Sequence, residues 1–169
     1  MVRIVFTRSD TFMSKAIRWL TAGRVSHVLL QYPSEMWGGE WVAEATWPMV
    51  LMRPAEKARH GVYKEFECLF DVRTALNAIR GEIGQWYDFQ GLAVLGVWLF
   101  VWRVFKKKLQ HPLHSTSGNK CSELYAKMFK ATTELPNTHR FEPEYTSPED
   151  LLDYCEEWPK FFRELPKEV

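Results

Sequence analysis

Three side chains of this sequence have the chemistry of a nucleophilic centre: Cys121 in SGNKCSELYAKMF, His27 in RVSHVLLQY and Glu44 in WVAEATW. A cysteine attacks as its thiolate, and the thiolate is favoured where unpaired backbone N–H groups and a helix dipole face it. Cys121 follows a loop of Ser, Thr, Gly and Asn and opens a helical pattern that Ser117 or Asn119 can cap. The sulfur then falls in the first turn, and the peptide N–H of Cys121 is suited to donate to an oxyanion. The competing reading is a small buried hydrophobe, since free cysteines are among the most buried residues.

A thiol nucleophile needs a base that takes its proton and returns it to the leaving group. Of the five histidines, His60, His111, His114 and His139 lie in polar, turn-like segments, whereas His27 begins an apolar strand pattern that a core can hold rigid. The base in turn needs a group that fixes its tautomer and steadies the imidazolium. Glu44 is an acid within an otherwise apolar strand pattern, and a hairpin would bring it within cross-strand reach of His27. The alternatives are that Glu44 faces water or pairs with an arginine such as Arg53. Tyr87, in GQWYDFQGL, is a candidate to offer its hydroxyl to an oxyanion, while Asp88 reads as a helix cap. His27 and Glu44 are also zinc-type donors, but no third ligand stands at a sensible spacing, so neither a metal nor a cofactor is expected.

The elements that must hold these residues read as follows. Val2 to Phe6 is a strand. A helix follows, capped by Ser9 or Asp10, with Phe12, Ala16, Trp19 and Leu20 on one face and Gly23 at its end. His27 to Tyr32 and Trp41 to Thr46 form a hairpin about PSEMWGGE, with further strands at Val50 to Arg53 and Val62 to Phe70. Asp71 caps a helix running to about Ile83, with Leu76, Ile79 and Ile83 along one face. An apolar helix starts near Asp88, and the Cys121 helix runs to about Ala131. In TSPEDLLDYCEEW, Ser147 is the N-cap of a last helix, Pro148 takes its first position and Asp150 completes a capping box. A helix, a β-meander and then several helices predict an α+β fold with an antiparallel sheet.

The chain has 169 residues, which suits one domain over 1–169 with an apolar helical insert at about 91–108. A formal net charge of +1 excludes a nucleic-acid partner recognised by bulk charge. Three widely spaced cysteines do not make a disulfide framework, and Cys68 and Cys155 read as structural. The N-terminus lacks the apolar run of a signal peptide, so the expected location is the cytoplasm, with carriage in a virus particle or release by lysis as other routes. The segment GLAVLGVWLFVWRVFKKK is too short to span a bilayer comfortably. It reads as a buried helix or as a contact with a membrane surface. The aromatic content is 15%, with eight Trp, enough to line a groove with rigid apolar rings.

In this order, SHVLLQY, WVAEAT, YDFQGL and NKCSELYAK resemble the circularly permuted branch of the NlpC-type papain-like cysteine peptidases, in particular its YiiX-like group. SPEDLL is similar to the closing segment of that group, so the likeness runs from about Val25 to Leu152. In ordinary papain-like enzymes the cysteine helix comes first. In the permuted branch the histidine precedes the cysteine, as His27 precedes Cys121. The resemblance implies a papain-like fold, a small antiparallel sheet packed against the helix that carries the nucleophile. It implies Cys121 as nucleophile, His27 as base, Glu44 as the orienting acid and Tyr87 as oxyanion partner. Lys120, where an aromatic or small residue is more usual, and the long apolar segment from Gly91 to Lys120 depart from the group's pattern beside the expected groove.

The expected function is a thiol hydrolase acting through an acyl-enzyme on a cell-wall peptide amide or an acyl or lipid-linked substrate. The alternative is a non-catalytic binding or structural protein, such as a phage or assembly component, that keeps the fold and uses its aromatic surface.

Overall fold

The strand Arg3–Thr7 (β1) lies inside a six-stranded sheet and is buried on both faces from Ile4 onward. The computed structural model describes residues 1–87, 97, 101, 121–143 and 145–166. Most of the apolar insert at 91–108 lies outside them, as do Asp88, His111, His114, Ser117, Asn119 and Lys120. Among the described residues no helix is long and apolar enough to cross a membrane.

The remaining strands are His27–Pro33 (β2), Glu40–Thr46 (β3), Met49–Pro54 (β4), Val62–Cys68 (β5) and Phe162–Glu164 (β6). Their order across the sheet is β4-β3-β2-β1-β5-β6, and every pairing is antiparallel. The α-helices whose full ranges fall among the described residues are Phe12–Thr21 (α1), Val72–Arg80 (α2), Cys121–Ala131 (α3) and Pro148–Glu157 (α4). This is the expected α+β architecture with an antiparallel sheet, and the expected hairpin of β2 and β3 is present.

The period-two alternation of the strands sorts their side chains onto two faces. Ile4, Phe6, Val28, Leu30, Ala43 and Phe66 join the main core with α2, α3 and α4. Val5, Leu29 and Val42 point the other way and pack with Ala55 and Ala58 in a smaller cluster. The main core is rich in rings: Phe129, Phe141, Tyr154 and Phe162 stack with centroids 5.0 Å (Phe141–Tyr154) to 5.8 Å (Phe129–Phe141) apart. Each such buried side chain contributes roughly 1.5–3 kcal/mol of transfer free energy. This cluster fixes α3 between the sheet and α4.

α1 departs from expectation. Its N-cap is Thr11, whose hydroxyl accepts from the Ser14 N–H, and it ends at Ala22, in the left-handed region at φ 54°. Phe12 is 86% exposed and Trp19 is also exposed, so the anticipated apolar face does not meet the core. The buried residue is Ser14, whose Oγ lies 2.6 Å from Ser26 Oγ. The reason is what this helix packs on: the Ser26 hydroxyl also donates to the Thr7 carbonyl, so the neighbouring surface is polar and takes a hydroxyl.

α2 is capped by Asp71, which accepts from the Arg73 N–H, and it ends at Arg80 rather than near Ile83. α4 begins as its sequence requires. Ser147 Oγ accepts from the Asp150 N–H, and the Asp150 carboxylate accepts from the Ser147 N–H, which closes the capping box. Arg24 clamps this helix to the loop that leads into β2. Its backbone N–H and its Nε each donate to Glu149 at 2.5 Å, and its terminal nitrogens reach Asp153 and Glu156. At the other end of β2's neighbour, Gly61 has φ +66° and a Cβ there would lie 2.0 Å from the Arg8 carbonyl oxygen, so only glycine fits the turn into β5.

Candidate active site

Tyr125 divides β2 from β3. The two strands pair from Pro33↔Glu40 to Leu30↔Ala43, and there the ladder stops. At that last pair the Tyr125 hydroxyl stands between the strands. It accepts from the Leu30 N–H at 2.9 Å and donates to the Ala43 carbonyl. Burial and the nearby Glu44 charge push this phenol well above its ordinary value, so it remains a donor. One phenol thus satisfies the two backbone groups that the opening strands would otherwise leave unpaired.

Beyond the wedge, three consecutive strands each contribute one polar side chain on the face of the small cluster. Continuing the β2–β3 register would put Glu44 opposite Leu29, one diagonal step from His27. On the other side Arg53 is opposite Val42, again one diagonal step from Glu44. Diagonal neighbours are within reach of long side chains. His27 Nε2 donates to Glu44 Oε2 at 2.8 Å, and Arg53 Nε donates to Glu44 Oε1. The Glu44 side chain is only 2% exposed.

Cys121 is the first residue of α3, one turn before Tyr125, and is buried. Residues four apart on a helix share a face, so the turn that sends Tyr125 between β2 and β3 sends Cys121 to their open end. There it lies beside His27 on the wall of one cleft. Nε2 of the ring is held by Glu44, which leaves Nδ1 for the sulfur. The other thiols are differently placed: burial pushes Cys68 up to about 12 and Cys155 well above its ordinary value, so both are held protonated.

The charges of the site support one another. Burial of His27 opposes its protonation, but the adjacent Cys121 sulfur and then Glu44 outweigh it and raise the imidazole from 6.5 to about 10. Burial likewise opposes ionisation of Glu44, yet the His27 hydrogen bond and charge, followed by the Arg53 guanidinium, hold it below the usual carboxylate range. Both shifts run in the direction that favours a charged imidazole facing the Glu44 carboxylate.

A cleft of about 360 Å³ opens onto His27, Glu44 and Cys121. Thr7 and Ser26 give it a hydroxyl-bearing side, and Met13, Ile17 and the exposed Trp47 an apolar one. Tyr87 lines the same cleft, held where its N–H donates to the Pro48 carbonyl at 2.9 Å, beside the bridge between Trp86 and Met49. His60 is exposed at the border of the cleft, and His139 is exposed elsewhere.

All four residues singled out in the sequence, Cys121, His27, Glu44 and Tyr87, thus border one cleft. Two readings of Glu44 that looked exclusive hold together, because one oxygen takes His27 and the other takes Arg53. Glu44 does not face water. Tyr125 went unread as a site residue. A tyrosine four residues after a cysteine carries no signal of its own, and its role exists only once β2 and β3 are seen to part.

No family profile matches the chain, and no curated protein matches it. Among solved structures it is similar to the crystal structure of the metalloprotein YiiX from Escherichia coli O157:H7, with a TM-score of 0.52 and 16% identity over 98% of this chain and 96% of that one. The likeness is one of fold, and it extends over nearly the whole of both chains.

Proposed function

We propose that this protein is a thiol hydrolase of the circularly permuted NlpC-type, papain-like kind, with Cys121 as nucleophile, His27 as acid–base and Glu44 as the group that orients the imidazole. The observation that carries the reading is that Cys121, His27 and Glu44 line one cleft, with His27 Nε2 hydrogen-bonded to Glu44 Oε2. The Cys121 thiolate attacks a carbonyl carbon, and a sulfur–carbon bond forms. His27 gives its proton to the leaving amine or alcohol as that bond breaks, which leaves an acyl-enzyme and a neutral imidazole. Water then attacks the thioester, its proton passes to His27, and the acid departs to restore the thiolate–imidazolium pair. Tyr87, which lines the cleft, is the proposed partner of the oxyanion. The apolar side formed by Met13, Ile17 and Trp47 supports an acyl group or an apolar side chain next to the scissile carbonyl, on a cell-wall peptide amide or an acyl or lipid-linked substrate.

YiiX is described as a metalloprotein. The described donors around the cleft do not fit such a centre. Among the described residues no group of three or more His, Cys, Asp or Glu could hold an ion. Both Glu44 oxygens are already engaged, one of them by a cation. No step of the proposed reaction passes through a metal.

A non-catalytic binding role draws on Trp47 and Trp86, which are 71% and 70% exposed. It gives no account of a buried glutamate fixing a histidine beside a thiol. The test is direct acylation. Incubated with an activated acyl ester such as p-nitrophenyl butyrate, the protein gains the acyl mass on the Cys121 peptide, and Cys121→Ala and His27→Ala do not. A wild-type protein that gains no mass there, while its Cys121 titrates as an ordinary thiol, would favour the binding role.

A further inference from the structure

We infer that Arg53 is a positioning residue of this site: by binding Glu44 Oε1 it leaves Oε2 as the single oxygen offered to His27, and so it fixes the geometry of the acid–base pair. The inference rests on the proposed thiol chemistry and extends it to a residue outside the trio.

A carboxylate with one partner can rotate about its terminal bond and present either oxygen, singly or bifurcated, to that partner. A second partner on the far oxygen removes this freedom. In this site the far partner is the Nε of a planar guanidinium, whose donors are fixed in direction. The two bonds approach Glu44 from opposite neighbours, β2 and β4, so the carboxylate plane is pinned across three strands.

Burial makes the pairing consequential. An exposed ion pair of this kind would contribute little. Glu44 is almost wholly buried, and a buried carboxylate that loses one of two partners keeps an unsatisfied oxygen. Arg53 itself is 37% exposed and lines the cleft, so it brings a solvated cation to the edge of a dry anion. Among the described residues, few groups face Glu44. From β2 comes His27, from β4 Arg53, from α3 Cys121 and the neutral Tyr125, and His60 stands at the border of the cleft. Of these, Arg53 is the one that brings a guanidinium, with its donors fixed in a planar fork.

The experiment compares the pH dependence of iodoacetamide alkylation at the Cys121 peptide, read by mass spectrometry, in the wild type, Arg53→Gln and Arg53→Lys. Without the arginine, Glu44 takes up a proton more readily and its hold on His27 loosens. The acid limb of alkylation is therefore expected to move up by about one pH unit in Arg53→Gln, with partial recovery in Arg53→Lys, which keeps the charge but not the fork. A merely structural Arg53 would lower thermal stability in both variants and leave the acid limb where it is, and that result overturns the inference. The two hypotheses fail separately. If the wild type alkylates like an ordinary thiol, the thiol chemistry falls and this inference with it. If the wild type shows the low-pH limb and Arg53→Gln shares it, only the role of Arg53 falls.

Discussion

Cys121 and Tyr125 are one helical turn apart on α3, and the turn that lets the Tyr125 hydroxyl part β2 from β3 delivers the Cys121 side chain to the gap that results. The sheet is opened by the same helix that fills the opening. Tyr125→Phe keeps the ring but removes the hydroxyl, leaving the Leu30 N–H and the Ala43 carbonyl to close on each other or stay unsatisfied. Loss of such buried hydrogen bonds costs about 1–3 kcal/mol. Urea denaturation is expected to show that loss together with a lower Cys121 alkylation rate at pH 7. Full stability with an unchanged rate would mean that the hydroxyl does not set the gap.

Glu44→Gln tests the orienting acid. The amide is close in shape but carries no charge, so it cannot stabilise an imidazolium and cannot accept charge-assisted bonds from both His27 and Arg53. His27 is expected to titrate below its wild-type value of about 10 by NMR. Each unit of that fall removes about 1.4 kcal/mol from the charged ring. Alkylation at pH 7 is expected to slow by at least about tenfold. An unmoved His27 titration would remove Glu44 from the mechanism.

Cys121→Ala tests the electrostatics from the other end, through stability. His27 binds its proton more tightly in the folded protein, at about 10, than at the ordinary 6.5 of an unfolded chain. The stability linked to that difference is complete below pH 6.5 and is lost as pH rises through about 10. The sulfur is the largest favourable influence on the imidazolium, so Cys121→Ala should narrow the window. Urea midpoints at pH 7 and pH 9.5 are expected to differ less in the variant than in the wild type. Equal differences in the two proteins would contradict the sulfur–imidazole coupling.

Ser147→Ala provides the contrast. It deletes the hydroxyl that accepts from the Asp150 N–H and leaves the cleft untouched. A lost N-cap costs about 1 kcal/mol, so the thermal midpoint should fall while the pH profile of Cys121 alkylation stays that of the wild type. A shifted profile would show that α4 reaches the site more directly than its position implies.

What could be read from the sequence was local. Ser147, Pro148 and Asp150 specify their helix start by hydrogen bonds that span three residues, and the structure contains those bonds. The Cys121 helix and the β2–β3 hairpin were legible for the same reason, since spacing and turn residues act at short range. The face of α1 was not legible. Phe12 and Trp19 pattern as an apolar stripe, but the helix lies against Ser26 and the Thr7 carbonyl, which lie on other elements, and Ser14 is the residue that suits them. In the site, residue types pointed to Cys121, His27 and Glu44 because each is chemically conspicuous. Arg53 was visible only as a rival partner for Glu44, because a sequence does not say that a carboxylate has room for two. Tyr125 depended on where a ladder ends, a property of two strands and a helix together.

The clamp between Arg24 and Glu149 joins groups 125 residues apart in the chain. Arg24 precedes the strand that begins with His27, and Glu149 belongs to the first turn of α4. During synthesis the hairpin carrying His27 and Glu44 can pair early, since its contacts are local, whereas the charges that anchor its entry loop emerge only when α4 is made. Long-range contacts of this kind are the slow ones to form. A ribosome-bound chain therefore carries its histidine and glutamate before the thiol of Cys121 is made, and the thiol before the clamp residue Glu149. The thiol joins its partners only once α3 has been made, and their entry loop is anchored only once α4 has followed.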